Sequence, residues 1–164
     1  GIDERPLMTG RELKSISNEH TFNRDCEDQE EIRKTLIRLA EKVGYRLRNT
    51  NMVATTVILK IRYAPFDTHT RQRRLPKPTN ADKDLLTAGL SLLNLERQDK
   101  PVRLVGFGTS NLSITGEGKD LQGWLFDPAN PQARKGDTKA HLDYAVDQIR
   151  KKYGRNSLQR GFRE

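Results

Sequence analysis

The chain has a single cysteine, Cys26, so no disulfide framework can hold it together. A reducing cytosol is the simplest compartment for such a protein, and a cytoplasmic location is expected. No apolar run approaches the roughly 18 residues that a membrane-spanning helix needs, and no signal peptide is evident. A soluble protein without a membrane partner is therefore expected. The histidines His20, His69 and His141 lack the mutual spacing of a metal site, so no metal is expected on them. Acidic residues sit at helix starts or in scattered loops, with no pair suited to holding metal ions. Hydrophobic residues make up only 34% of the chain, and they are bunched between about Ile16 and Leu112. That stretch can bury a small core. There are no internal repeats, and the opening Gly-Ile-Asp, without Met, suggests a piece of a longer protein.

Positive charge is plentiful. Over 164 residues the formal net charge is +8, which favours an anionic partner without proving one. The charge is concentrated at one hairpin. From Lys60 to Lys77 the basic residues are Lys60, Arg62, Arg71, Arg73, Arg74 and Lys77, against one acid, Asp67. Before it, Val57, Leu59, Ile61 and Tyr63 alternate with Thr56, Lys60 and Arg62, the period of two of a half-buried strand. A basic, hydroxyl-rich sheet face suits a phosphate backbone.

Elements can be read on either side of this hairpin. Lys14–Phe22 is a plausible first strand. Asp28, followed three residues later by Glu31, opens a helix with Ile32, Leu36, Leu39, Val43 and Leu47 on one face. The hairpin runs from about Val53 to Leu75, and Pro76 and Pro78 break the pattern. A second helix starts near Ala81, with Leu86, Leu90 and Leu93 on one stripe and Leu85, Leu92 and Leu95 widening it. Val102–Leu112 is the last strand, with Val105 and Phe107 in the core. The order β-α-β-β-α-β predicts an α+β fold, a four-stranded antiparallel sheet with two helices on one face. Lys60, Arg62, Arg71 and Arg73 are expected on the other, open face. After Ser113, glycines and prolines mark an extended linker that carries the apolar patch Gln122-Gly123-Trp124-Leu125-Phe126. An amphipathic helix follows from about Thr138, with Leu142, Val146, Ile149 and Tyr153 on one face and Gly154 as its C-cap.

Lys14-Ser15-Ile16, Thr21-Phe22-Asn23-Arg24-Asp25, Thr56 to Tyr63, Phe66, Thr70-Arg71, Arg73, Leu75-Pro76 and Pro101 to Gly106 occur in this order. Together they resemble the little-finger domain of Y-family translesion DNA polymerases of the DNA polymerase IV type. The resemblance implies residues 1–13 as a linker from a thumb domain and 14–113 as the little finger. It implies 114–137 as a linker with a clamp-binding motif and 138–164 as a C-terminal helix and tail. The parent would be a nucleotidyltransferase whose palm binds magnesium. This fragment would hold no catalytic residue and no cofactor. It would contact primer–template DNA, the sliding clamp and the remaining polymerase domains. Lys14, Ser15 and Ser17 match the family's phosphate-touching first strand; Thr70, Arg71 and Arg73 match its template-tracking strand. Arg103 matches a basic residue opening the last strand, and Lys60 and Arg62 join this DNA-binding set. Many members have Gly where Ser17 stands, which implies a shifted contact there, and Arg where Gly108 stands, which implies one phosphate contact fewer at that position. Gln122, Leu125 and Phe126 match the clamp-binding peptide, with Gly123 departing from the usual Leu.

Two other classes remain open at this point. RNA-recognition modules share the β-α-β-β-α-β order, but they stack bases on aromatics of the first and third strands. Ser15, Ser17, Thr70, Arg71 and Arg73 offer none. A protein-interaction module using the apolar peptide and the last helix, with no affinity for DNA, is the other.

Overall fold

The computed structural model describes residues 13–65, 67–96, 99–115, 131–154 and 157–158. Strand β1 spans Ser15–Cys26, helix α1 Gln29–Asn49, strands β2 and β3 Met52–Tyr63 and Asp67–Thr79, helix α2 Asp82–Leu93, strand β4 Val102–Ile114 and helix α3 Pro131–Tyr153. The sheet order is β1-β4-β2-β3, with every neighbouring pair antiparallel. The predicted α+β architecture is the observed one.

Local chemistry accounts for the elements. Asp28 caps α1, its carboxylate accepting the Glu30 and Glu31 amides at 2.8 and 3.4 Å. Ile32, Leu36, Leu39, Val43 and Leu47 form the buried face that their spacing predicts. Asn51 takes a left-handed φ of 51°, which Asn tolerates, and turns the chain into β2. In β2 the residues Val57, Leu59, Ile61 and Tyr63 are buried in the core.

Strand β3 continues through Pro76 and Pro78 to Thr79, beyond the break expected at Pro76. It is an edge strand, so a proline that donates no amide costs no ladder bond on its free side. The pairing shifts between Ala54 and Thr56 to absorb the extra residues.

Helix α2 buries Leu85, Leu86, Ala88, Gly89 and Leu92, a stripe rotated from the expected one. Leu90 and Leu93 are only partly buried, and Leu95, past the helix end, is exposed. Gly89 sets the rotation. A Cβ there would lie 2.8 Å from Cε2 of Phe107, a ring wholly buried under the helix. Gly89→Ala is expected to destabilise the domain. The gain of about 1 kcal/mol in helix propensity is outweighed by overpacking worth about 1–3 kcal/mol. Urea denaturation checks the sign.

Helix α3 begins at Pro131, a residue type suited to the first turn, seven residues before the expected start. Gly154, with φ +92°, follows its last residue as predicted. Its docked face differs from the apolar one predicted. Asp143, Val146 and Asp147 are buried, whereas Leu142, Ile149 and Tyr153 are exposed. Asp147 accepts from Arg48 Nε at 2.6 Å, and Arg150 pairs with Glu41 at 2.9 Å. Asp143 accepts the amide of Asp82, the first residue of α2, at 2.9 Å. Helix α3 thus packs on the outer side of the helical layer through a polar seam.

Candidate nucleic-acid interface

Register across the sheet fixes which side chains share a face, because directly paired residues point the same way. Four ranks cross all four strands on the side away from the helices. They are Ser15, Ser110, Thr56 and Arg74; Ser17, Gly108, Ile58 and Gln72; Glu19, Gly106, Lys60 and Thr70; and Thr21, Leu104, Arg62 and Thr68. This face is rich in hydroxyls and carries Lys60, Arg62 and Arg74. It contains no aromatic residue in these ranks, and their one carboxylate is Glu19.

Glycines flatten its middle. A Cβ at Gly106 would lie 3.0 Å from Glu19 Cγ and 3.3 Å from Lys60 Cβ; one at Gly108 would lie 3.0 Å from Ser17 Cβ. Lys60 reaches over Gly106 to Glu19, Nζ to Oε1 at 2.9 Å. Arg62 donates from Nε to Thr68 Oγ1 at 3.0 Å. Arg46, from the last turn of α1, donates to the Ser17 carbonyl at 3.0 Å and covers part of the free edge of β1.

Ser15, Ser17, Lys60, Arg62 and Thr70 therefore lie together on this face, where Lys60 and Arg62 are expected. Lys14 is exposed just before β1. Arg71 and Arg73 do not join them. They pair with Leu59 and Val57, whose side chains face the helices, so both arginines leave β3 on the helix side. The expectation of all four cations on the open face is corrected by the register, which sets Thr70 beside Lys60 and Arg71 beside Leu59. Both arginines remain exposed because β3 is the edge strand. Arg103 stands where the pairing of β4 with both neighbours shifts. It turns to β1, donating to the Asn23 carbonyl at 3.4 Å and pairing with Asp25 at 3.5 Å. Gln122, Leu125 and Phe126 lie outside the described residues.

Reading the sequence alone missed Arg74, which two-residue steps along β3 from Thr70 would have found. It also missed Glu96, three residues beyond α2. The Glu96 carboxylate, with side-chain exposure of 3%, accepts from Arg71 Nε and from the Tyr63 hydroxyl at 2.9 Å, and lies 3.2 Å from His69 Nδ1. Burial alone would raise its pKa; hydrogen bonds from Arg71, Tyr63 and His69 outweigh burial and hold it below its ordinary value. Arg71 is thereby anchored at its Nε. Among the described residues no group of His, Cys, Asp or Glu could hold a metal ion, and no helix is long and apolar enough to cross a membrane.

Comparison with known proteins agrees with this geometry. Residues 13–123 match the model of the impB/mucB/samB family C-terminal domain. A DNA polymerase IV of Dehalococcoides mccartyi strain CBDB1 is 39% identical over 163 residues, covering 98% of this chain and 39% of that protein. One from Clostridium acetobutylicum is 35% identical over 162 residues, with the same coverages of 98% and 39%. The chain thus spans well under half the length of these relatives. Among solved structures, a complex of beta-clamp processivity factor and little finger domain of PolIV matches with a TM-score of 0.50 and 20% identity, over 58% of this chain and 86% of that one. The matched residues show that the chain belongs to the impB/mucB/samB family, as its C-terminal domain, with the fold of a little finger domain.

Proposed function

We propose that this domain grips the phosphodiester backbone of primer–template DNA for a translesion DNA polymerase, with the open face and the β3 edge as its contact surface. The observation that carries the reading is the content of the four ranks: hydroxyls and cations, with no aromatic. Backbone recognition needs hydrogen-bond donors and positive charge, whereas base stacking needs rings. The contact set comprises Lys14, Ser15, Ser17, Lys60, Arg62, Thr70, Arg71, Arg73 and Arg103, and the geometry adds Arg74. The related DNA polymerases IV support the parent activity, nucleotidyl transfer with magnesium held by other domains, and a cytoplasmic location fits that role.

The test is fluorescence anisotropy of a labelled primer–template duplex across a salt series, with single-stranded RNA of equal length alongside. Duplex binding should be indifferent to sequence and fall steeply with salt. Replacing Arg62 and Arg74 together by Ala should flatten the log–log salt slope by about two units, about 0.9 for each phosphate left without its cation. A preference for single-stranded RNA would instead favour an RNA-recognition module.

Docking on a sliding clamp is the second part of the reading. It rests on Gln122-Gly123-Trp124-Leu125-Phe126 and on the solved complex of a related little finger with its clamp. Leu125 and Phe126 would fill an apolar pocket while the Gln122 amide bonds at its mouth. Phe126→Ala should abolish clamp binding in surface plasmon resonance and leave duplex affinity unchanged. Unchanged clamp affinity would remove this assignment. Clamp binding without any DNA affinity would leave a protein-interaction module.

A further inference from the structure

We infer that Glu19 acts as an internal substitute for a backbone phosphate, neutralising Lys60 in the free protein and limiting how tightly the open face holds nucleic acid. This rests on the reading of that face as the DNA contact surface.

Glu19 is on β1 and Lys60 on β2, with β4 between them. They meet because both share a rank with Gly106, the one residue type that leaves the space between them clear. A Cβ at position 106 would crowd the stems of both side chains. The ammonium–carboxylate contact of 2.9 Å lies near the centre of the face, among hydroxyls of Ser17, Thr21 and Thr70. No other carboxylate stands in the four ranks.

Both partners remain partly solvated, with side-chain exposures of 32% for Lys60 and 42% for Glu19. A pair in that setting is weak, so an incoming phosphate can take Lys60 from Glu19 at little cost. The exchange nevertheless differs from an ordinary contact. Lys60 and Glu19 together bring no net charge to the duplex, and the displaced carboxylate stays on the surface and repels it. Lys60 should therefore add less to affinity, and less to the salt slope, than Arg62 or Arg74. A purely structural cross-strand pair would leave the salt slope unmoved.

The experiment is duplex binding by the whole chain as wild type, Glu19→Gln, Lys60→Gln and the double variant, measured by anisotropy across a salt series. Glu19→Gln should tighten binding about fivefold at low salt and steepen the slope by about one unit. Lys60→Gln alone should weaken binding, though less than loss of Arg62 or Arg74, and in the double variant the gain from Glu19→Gln should be smaller than with Lys60 present, because only the repulsion by the carboxylate is then relieved. A Glu19→Gln curve superimposed on wild type would overturn the role of Glu19 while leaving the face as a DNA surface. Absence of duplex binding in wild type and all variants would remove both. Equal tightening with Lys60 present or absent would show general repulsion by Glu19 and overturn the pairing with Lys60.

Discussion

Arg48→Ala is expected to cost about 3–5 kcal/mol of stability, because it removes the cation at the centre of a nest of buried carboxylates. Arg48 lies on α1 with its side chain 10% exposed. It donates to Asp82 Oδ1 at 2.7 Å, to Asp147 Oδ2 at 2.6 Å and to the Asn80 carbonyl at 2.8 Å; Asp143 approaches within 3.8 Å. Burial alone would lower the pKa of the guanidinium, but the carboxylates of Asp147 and Asp82 outweigh it and keep the charge fixed. Gly44, one turn earlier on α1, makes the cluster possible. A Cβ at that position would lie 2.1 Å from Asp82 Oδ1. Without Arg48, the carboxylates of Asp82, Asp143 and Asp147, with side-chain exposures of 4%, 5% and 10%, would face one another in a buried seam. Releasing α3 into water is the cheaper outcome, since it rehydrates Asp143 and Asp147 and, among the described side chains of the helix, forfeits little apolar burial beyond Val146. Hydrogen exchange should then show protection lost first across Pro131–Tyr153, with the sheet still protected. Thermal unfolding should shift down by about 10 °C. A melting temperature within a degree or so of wild type would show that the cluster does not hold α3.

The same seam shows why part of the molecule was legible in the sequence and part was not. Helix α1 and strand β2 are written in single-chain periodicity: Ile32 to Leu47 at helical spacing, Val57 to Tyr63 at a spacing of two. Such patterns report burial of one face whatever the partner. The docked face of α3 is different. Asp143 and Asp147 are buried, and Arg150 half-buried, only because Arg48, the Asp82 amide and Glu41 lie opposite, far away along the chain. Scanning for apolar stripes selects Leu142, Ile149 and Tyr153, which the structure leaves in solvent. The interface shows a related limit. A slip of one residue in a strand moves every side chain to the other face, and nothing in the turn at Ala64-Pro65 fixes that register from sequence. The hairpin and its basic character were legible; the split of Thr70 and Arg74 from Arg71 and Arg73 needed the pairing with β2.

That split yields the second large effect, because Arg71 and Arg73, alike in sequence, sit in unlike settings. Arg73→Ala should flatten the salt slope by about one unit and Arg71→Ala by less, because Glu96 already holds the Arg71 charge, and both effects should be the same on unrelated duplex sequences. A loss confined to one sequence would argue against backbone recognition. Their effects on stability should diverge. Arg73 has no hydrogen bond or ion pair among the described residues, and its loss should change stability by less than about 0.5 kcal/mol. Arg71 supplies the strongest of the bonds that hold Glu96 ionised. Removing it leaves a buried carboxylate with Tyr63 and His69 alone, at a cost of about 1–3 kcal/mol. The pH dependence separates the two further. In wild type the folded pKa of Glu96 is below its ordinary 4.5, so its stabilisation is complete above that value and is lost as pH falls through the folded pKa. In Arg71→Ala the burial that raises the pKa remains while the main bond opposing it is gone. The acid limb of the stability curve should therefore begin at higher pH in Arg71→Ala, and not in Arg73→Ala. Melting temperatures between about pH 7 and pH 3 would show it. Superimposed acid limbs for wild type and Arg71→Ala would mean that Tyr63 and His69 suffice to hold Glu96 charged, and that Arg71 is free to serve DNA alone.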